Sequence, residues 1–211
     1  MANKEIFNGE AVLSFDNDYD RRNFLKWAGI VGVGSTLAVG GFSGVTASAQ
    51  AEDSDLEILN YALTLEYLEA DFYTQGVEGG VLSGRELALV KPIRDHEDAH
   101  VAALTSTIED LGGTPVKAPG TKYPAGTFED KAKFLETASI FEELGVTAYH
   151  GQVTLIKSID ILAAAAAIAG VESRHAAILA DLTGGNPFPA PVEATATMEK
   201  VLAAAKPFIK S

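Results

Sequence analysis

The chain has 211 residues, 47% of them hydrophobic, and a formal net charge of −13, which fits one domain with an appendage and excludes wholesale disorder. So acidic a surface repels phosphate backbones and anionic membranes, and argues against a nucleic-acid partner. There is no cysteine, so disulfides, iron–sulfur clusters and thiolate zinc sites are excluded, and Glu, Asp and His remain as metal ligands.

The first element is an address. Arg21 and Arg22 are followed by Asn23, Phe24, Leu25 and Lys26, the R-R-x-F-L-K pattern of a twin-arginine export signal, although Asp20 stands where Ser or Thr is usual. A Gly-rich apolar run from Ala28 to about Val45 follows, and then small-residue cleavage patterns, 47-ASA and 49-AQA. The expectation is a signal at 1–51, cleaved to leave a domain at 52–211 that works in the periplasm or outside the cell. Left uncleaved, the run would serve as a membrane anchor, for which its glycines suit it poorly. Trp27, the only tryptophan, would leave with the signal.

Four long helices are predicted next, at 53–75, 84–111, 127–156 and 158–182. A Pro/Gly-rich crossover (112-GGTPVKAPGTKYPAG) separates the second from the third, and a short helix follows the proline-rich turn at 187. No segment alternates with period two, so the fold class is all-α: a four-helix bundle with a long crossover and a short C-terminal helix.

At spacings of three and four, each helix presents one apolar face. The first face holds Leu59, Ala62, Glu66, Ala70 and Tyr73; the second Val90, Ile93, Glu97, His100, Leu104, Ile108 and Leu111. The third holds Leu135, Ala138, Glu142, Val146, Tyr149, Val153 and Ile156; the fourth Ile161, Ala165, Ile168, Glu172, His175, Leu179 and Leu182. A glutamate interrupts every stripe. The halves also echo each other: Glu66 and Glu142 are 76 residues apart, while Glu97 and Glu172, like His100 and His175, are 75 apart. A tyrosine, Tyr73 or Tyr149, follows seven residues after each first-helix glutamate. E-x6-Y followed by E-x-x-H-x-A, twice, reads as a duplicated helix pair.

An ionised carboxylate inside an apolar core costs several kcal/mol unless something compensates it, and four together repel one another. Two divalent cations neutralise four glutamates, and two imidazoles complete the donors. In E-x-x-H both side chains leave one helix face toward one point. Glu69 and Glu143 compete with Glu66 and Glu142 for the carboxylate role, but the repeat favours the latter pair. His96 is expected to face solvent, His150 to lie at the surface, and Asp71 and Asp98 to be surface charges.

One Glu from each of two helices and a Glu-x-x-His from each of the others is the pattern of ferritin-like di-iron and di-manganese proteins. Placed on it, Glu97 and Glu172 bridge two ions, His100 and His175 each cap one, and Glu66 and Glu142 are terminal. Tyr73 and Tyr149 lie one layer out, bonded to a ligand carboxylate or exchanging electrons. The stretches 59-LNYALTLEYLEADFY, 96-HEDAHVAAL, 141-FEELGVTAYHGQ, 187-PF and 198-MEKVLAAAKPFI resemble the ferritin-like domain family of exported bacterial and archaeal proteins and plant desiccation-related proteins. The resemblance covers roughly 53–211; bacterioferritin, rubrerythrin and manganese catalase are more distant. It implies two iron ions, with manganese as the alternative, and O2 or peroxide as the oxidant. The expected chemistry is of the ferroxidase or peroxidase type in iron handling or oxidative stress. A dimanganese catalase-like enzyme and a non-enzymatic, stress-protective metal-binding bundle are the alternatives. An electron donor would be a separate molecule, and a homo-oligomer is compatible.

Overall fold

In the computed structural model, which describes residues 53–210, five helices form: α1 (Asp53–Glu78), α2 (Gly84–Asp110), α3 (Lys131–Gln152), α4 (Ile159–Thr183) and α5 (Met198–Ala205). A 3-10 turn, Lys206–Phe208, follows α5. The export segment read at 1–51 lies outside the described residues. No strand forms among the described residues; Thr121 and Ile209 make an isolated antiparallel bridge.

Caps explain where the helices begin and end. Ser158 and Thr197 accept from Ile161 N (3.4 Å) and Lys200 N (3.4 Å) at the starts of α4 and α5. Gly184, with φ 78°, closes α4 in the left-handed conformation that glycine adopts without strain. The third helix is shorter than expected at both ends. Asp130 is its cap, accepting from Lys133 N at 3.0 Å, so residues 127–129 belong to a turn, in which Thr127 N bonds Pro124 O. At the other end the chain leaves the helix after Gln152, and Val153 is 39% exposed rather than buried in the stripe. The buried carboxylate of Asp55, on α1, then accepts from Lys157 N (2.9 Å) and Ser158 N (2.8 Å) and sets the chain's entry into α4.

The main pairings are α1 with α2 and α3 with α4, with α1 facing α3 and α2 facing α4. Short connections make each pair antiparallel. The crossover runs from Leu111 to Asp130 and is latched along α1. Val116 N donates to Asn60 Oδ1 (2.7 Å), and the hydroxyls of Thr121 and Tyr123 both donate to Asp71 Oδ2 (2.7 Å each). Asp71 is therefore a half-buried latch and not the surface charge expected. The C-terminal strap joins in through Lys122 N to Phe208 O and Lys210 N to Gly120 O.

Two apolar clusters fill the bundle. One, around Leu59, Leu63, Leu104, Ile108, Ile161 and Ile168, fills one end. The other, around Phe72, Val90, Ile93, Phe134, Phe141 and Leu179, fills the other, where Phe72 and Phe134 stack at 4.6 Å. A third packs α5, through Val201 and Ala205, onto Tyr61, Leu65, Leu68 and Ala148. In every long helix the glutamate of the stripe falls between the residues of the first two clusters, so these carboxylates lie at mid-height, shielded from both ends.

Candidate metal centre

All six residues singled out for metal in the sequence converge at this level. Glu66, Glu97, Glu142 and Glu172 are each 0% exposed, and His100 and His175 are 3% and 4% exposed. Their donor atoms make two overlapping quartets, Glu66–Glu97–His100–Glu172 and Glu97–Glu142–Glu172–His175, with the donors in each within 4.8 Å of one another. Glu97 and Glu172 are common to both.

Each histidine turns Nδ1 inward. His100 Nδ1 is 3.2 Å from Glu66 Oε2, 3.1 Å from Glu97 Oε2 and 3.2 Å from Glu172 Oε1. His175 Nδ1 is 3.0 Å from Glu97 Oε1 and 3.3 Å from Glu142 Oε2. The tyrosines are exchanged between the pairs: Tyr73 of α1 donates to Glu142 Oε1 of α3 (2.5 Å), and Tyr149 of α3 donates to Glu66 Oε1 of α1. Both are thus hydrogen-bonded to a cluster carboxylate.

Burial makes these carboxylates hard to ionise together. It raises Glu66 to about 7, against the opposing pull of His100. Burial, reinforced by Glu97 and Glu142, lifts Glu172 well above the carboxylate range. Glu97 goes the other way: burial pushes it up, but His100 and His175 outweigh burial and hold it low. Burial would neutralise the histidines, yet the carboxylates around them raise both well above the usual range. In the metal-free protein, protons do the neutralising that cations would otherwise do.

The donor set fits a pair of divalent ions. Both oxygens of Glu172, Glu97 Oε1, Glu142 Oε2 and His175 Nδ1 are buried, and although several lie within 3.0–3.3 Å of a cluster atom, none makes a well-aligned hydrogen bond among the described residues, a state that normally demands an unseen ligand. These orphaned atoms belong to the cluster's facing donors, and mixed carboxylate and imidazole donors suit iron or manganese.

Two residues depart from expectation. Glu69 is 4% exposed and adds a fifth buried carboxylate beside the four of the cluster; burial first, then Glu172 and Glu142, raise it well above the usual range. It follows Glu66 by three, so same-face spacing was the signal that could have found it. Seventy-six residues on, the repeat has Gly145, where a Cβ would stand 2.9 Å from Glu172 Oε2 and 3.3 Å from Glu69 Oε1. His96 does not simply face solvent. It is half-buried, and its Nδ1 is 2.8 Å from His175 Nε2. Asp98 is exposed as expected, Glu143, the competitor of Glu142, is exposed too, and His150 is half-buried, its Nδ1 bonded to Val146 O of its own helix.

Fold and site together define an antiparallel helical bundle with a buried carboxylate–imidazole cluster. Residues 54–185 match the ferritin-like domain family, and the chain belongs to it. Among solved structures, that of ferritin-like, diiron-carboxylate proteins from Bacillus anthracis str. Ames is similar with a TM-score of 0.52 and 25% identity, over 62% of this chain and 96% of that one. No curated protein sequence matches this chain.

Proposed function

We propose that the mature protein is an exported di-iron carboxylate protein that oxidises Fe(II) with O2 or peroxide and so limits oxidative damage. The observation that carries this reading is the pair of overlapping quartets, whose orphaned donors lie inside the apolar bundle. The diiron-carboxylate description of the Bacillus anthracis relative supports it, as does the export pattern beginning at Arg21 and Arg22.

Glu97 and Glu172 would hold both ions, His100 and Glu66 one, and His175 and Glu142 the other. When bound, an iron pair supplies two electrons to an oxidant such as peroxide, which with two protons leaves as water. The chain's own part is to position and to shield. Tyr73 and Tyr149 fix the terminal carboxylates by their hydroxyls, while the apolar clusters at both ends exclude bulk water and strengthen every electrostatic contact between them. Burial keeps both phenols protonated, with Glu142 and Glu66 reinforcing it, so at neutral pH they act as donors.

The test is metal content. Mature protein loaded anaerobically with Fe(II) should hold about two iron ions per chain, and Glu97→Ala or Glu172→Ala should abolish binding, each removing a carboxylate common to both positions. Two ions retained in both variants would refute the site. Loaded protein should then consume peroxide or O2, with a matching change in iron absorbance. Binding without consumption would leave a metal-stabilised bundle instead.

A further inference from the structure

Beyond the six donors, we propose that His96 is a positioning residue that makes the two ion positions unequal, favouring the one capped by His175. This rests on the di-metal reading above. His175 presents Nδ1 to Glu97 and Glu142, 3.0 and 3.3 Å away, so an ion among these donors takes the Nδ1 lone pair and leaves the proton on Nε2. His96 Nδ1 lies 2.8 Å from that Nε2, with the two rings near parallel at 12°. With the Nε2 proton donated to it, His96 Nδ1 is the acceptor. Such a bond fixes the tautomer and ring orientation of a ligating histidine and makes it a stronger donor to metal.

His100 has no such support. Its Nδ1 also faces the carboxylates, but its Nε2 is buried with no partner among the described residues. The repeat offset of 75 that relates Glu97 to Glu172 carries His96 onto Val171, a side chain 2% exposed that has no acceptor. Two halves that agree at all six donors thus disagree at the residue preceding the Glu-x-x-His glutamate. His96 is not itself a donor to the pair, because it lies on the far side of the His175 ring from the carboxylates.

Stepwise binding of Co(II) or Mn(II) to the mature protein, followed by calorimetry, tests this. Wild type should bind one ion tightly and one more weakly. His96→Ala should weaken the tight step by about 10–100-fold, leaving the weak step within about twofold and the melting temperature of the metal-free protein unchanged. His96→Asn, whose side-chain oxygen occupies the place of Nδ1, should restore most of the loss. His100→Ala should remove the weak step alone. A structural role for His96 would instead lower the metal-free melting temperature or weaken both steps, and either result overturns the proposal. So do two equal steps in wild type, or two unchanged steps in His96→Ala, while the di-metal reading survives. Wild type that binds no ion removes both.

Discussion

A methyl group added at Gly145 would stand 2.9 Å from Glu172 Oε2 and 3.3 Å from Glu69 Oε1, so the two buried carboxylates would have to move to make room for it. Overpacking of this kind costs about 1–3 kcal/mol. Gly145→Ala is therefore expected to weaken metal binding by about tenfold or more through Glu172, a carboxylate common to both quartets, with helix content by circular dichroism unchanged. Metal titration checks this, and undiminished affinity would show that the cluster tolerates displacement. The same residue shows where reading by sequence stops. Glu66, Glu97, His100, Glu142, Glu172 and His175 were legible because each breaks an apolar stripe and recurs 75 or 76 residues away. Glu69 and His96 break the repeat, with Gly145 and Val171 as their counterparts, so recurrence counted against the first and gave no sign of the second. His96 also acts across a helix boundary, toward His175 of α4, and periodicity within one helix carries no information about a neighbour.

Helix number, order and faces followed from the 3.6-residue period and the glycine and proline stops. The ends of α3 did not, because local side-chain capping by Asp130 and a distant carboxylate, Asp55, decide them. The crossover is similar: its composition announced a connection, but its path depends on Asn60 and Asp71 of α1. Asp71→Ala would leave the Thr121 hydroxyl without its acceptor and Tyr123 with only the Leu68 carbonyl, at 3.2 Å. Hydrogen bonds to charged groups are each worth about 1.5–3 kcal/mol, and because Tyr123 keeps an acceptor the loss is nearer one bond than two. The expected result is a destabilisation of about 2 kcal/mol in urea, with faster proteolysis confined to residues 112–130. Unchanged cleavage there would mean that Asn60 and the strap to Phe208 suffice.

For the bundle as a whole, the five carboxylates and two imidazoles buried at its centre are a standing liability that cations, once bound, would turn into stability. A ligand held only by the folded state adds about 2.7 kcal/mol at a hundredfold excess over its Kd, and a domain of this size shifts by about 2–4 °C per kcal/mol. Chelation should lower the melting temperature of the loaded protein by roughly 5–10 °C per ion, and Glu97→Ala should show no chelator response. A loaded wild type indifferent to chelator would place the cations elsewhere.

The near-repeat of α1–α2 in α3–α4 has a consequence of its own. A lone hairpin pairing with its twin would close the same cage around a two-fold axis, and that axis would force both ion positions to be alike. One continuous chain lifts that constraint. A glutamate can stand against a glycine, or a histidine against a valine, and one metal can then differ from its neighbour in affinity or potential without any change to the ligands they share.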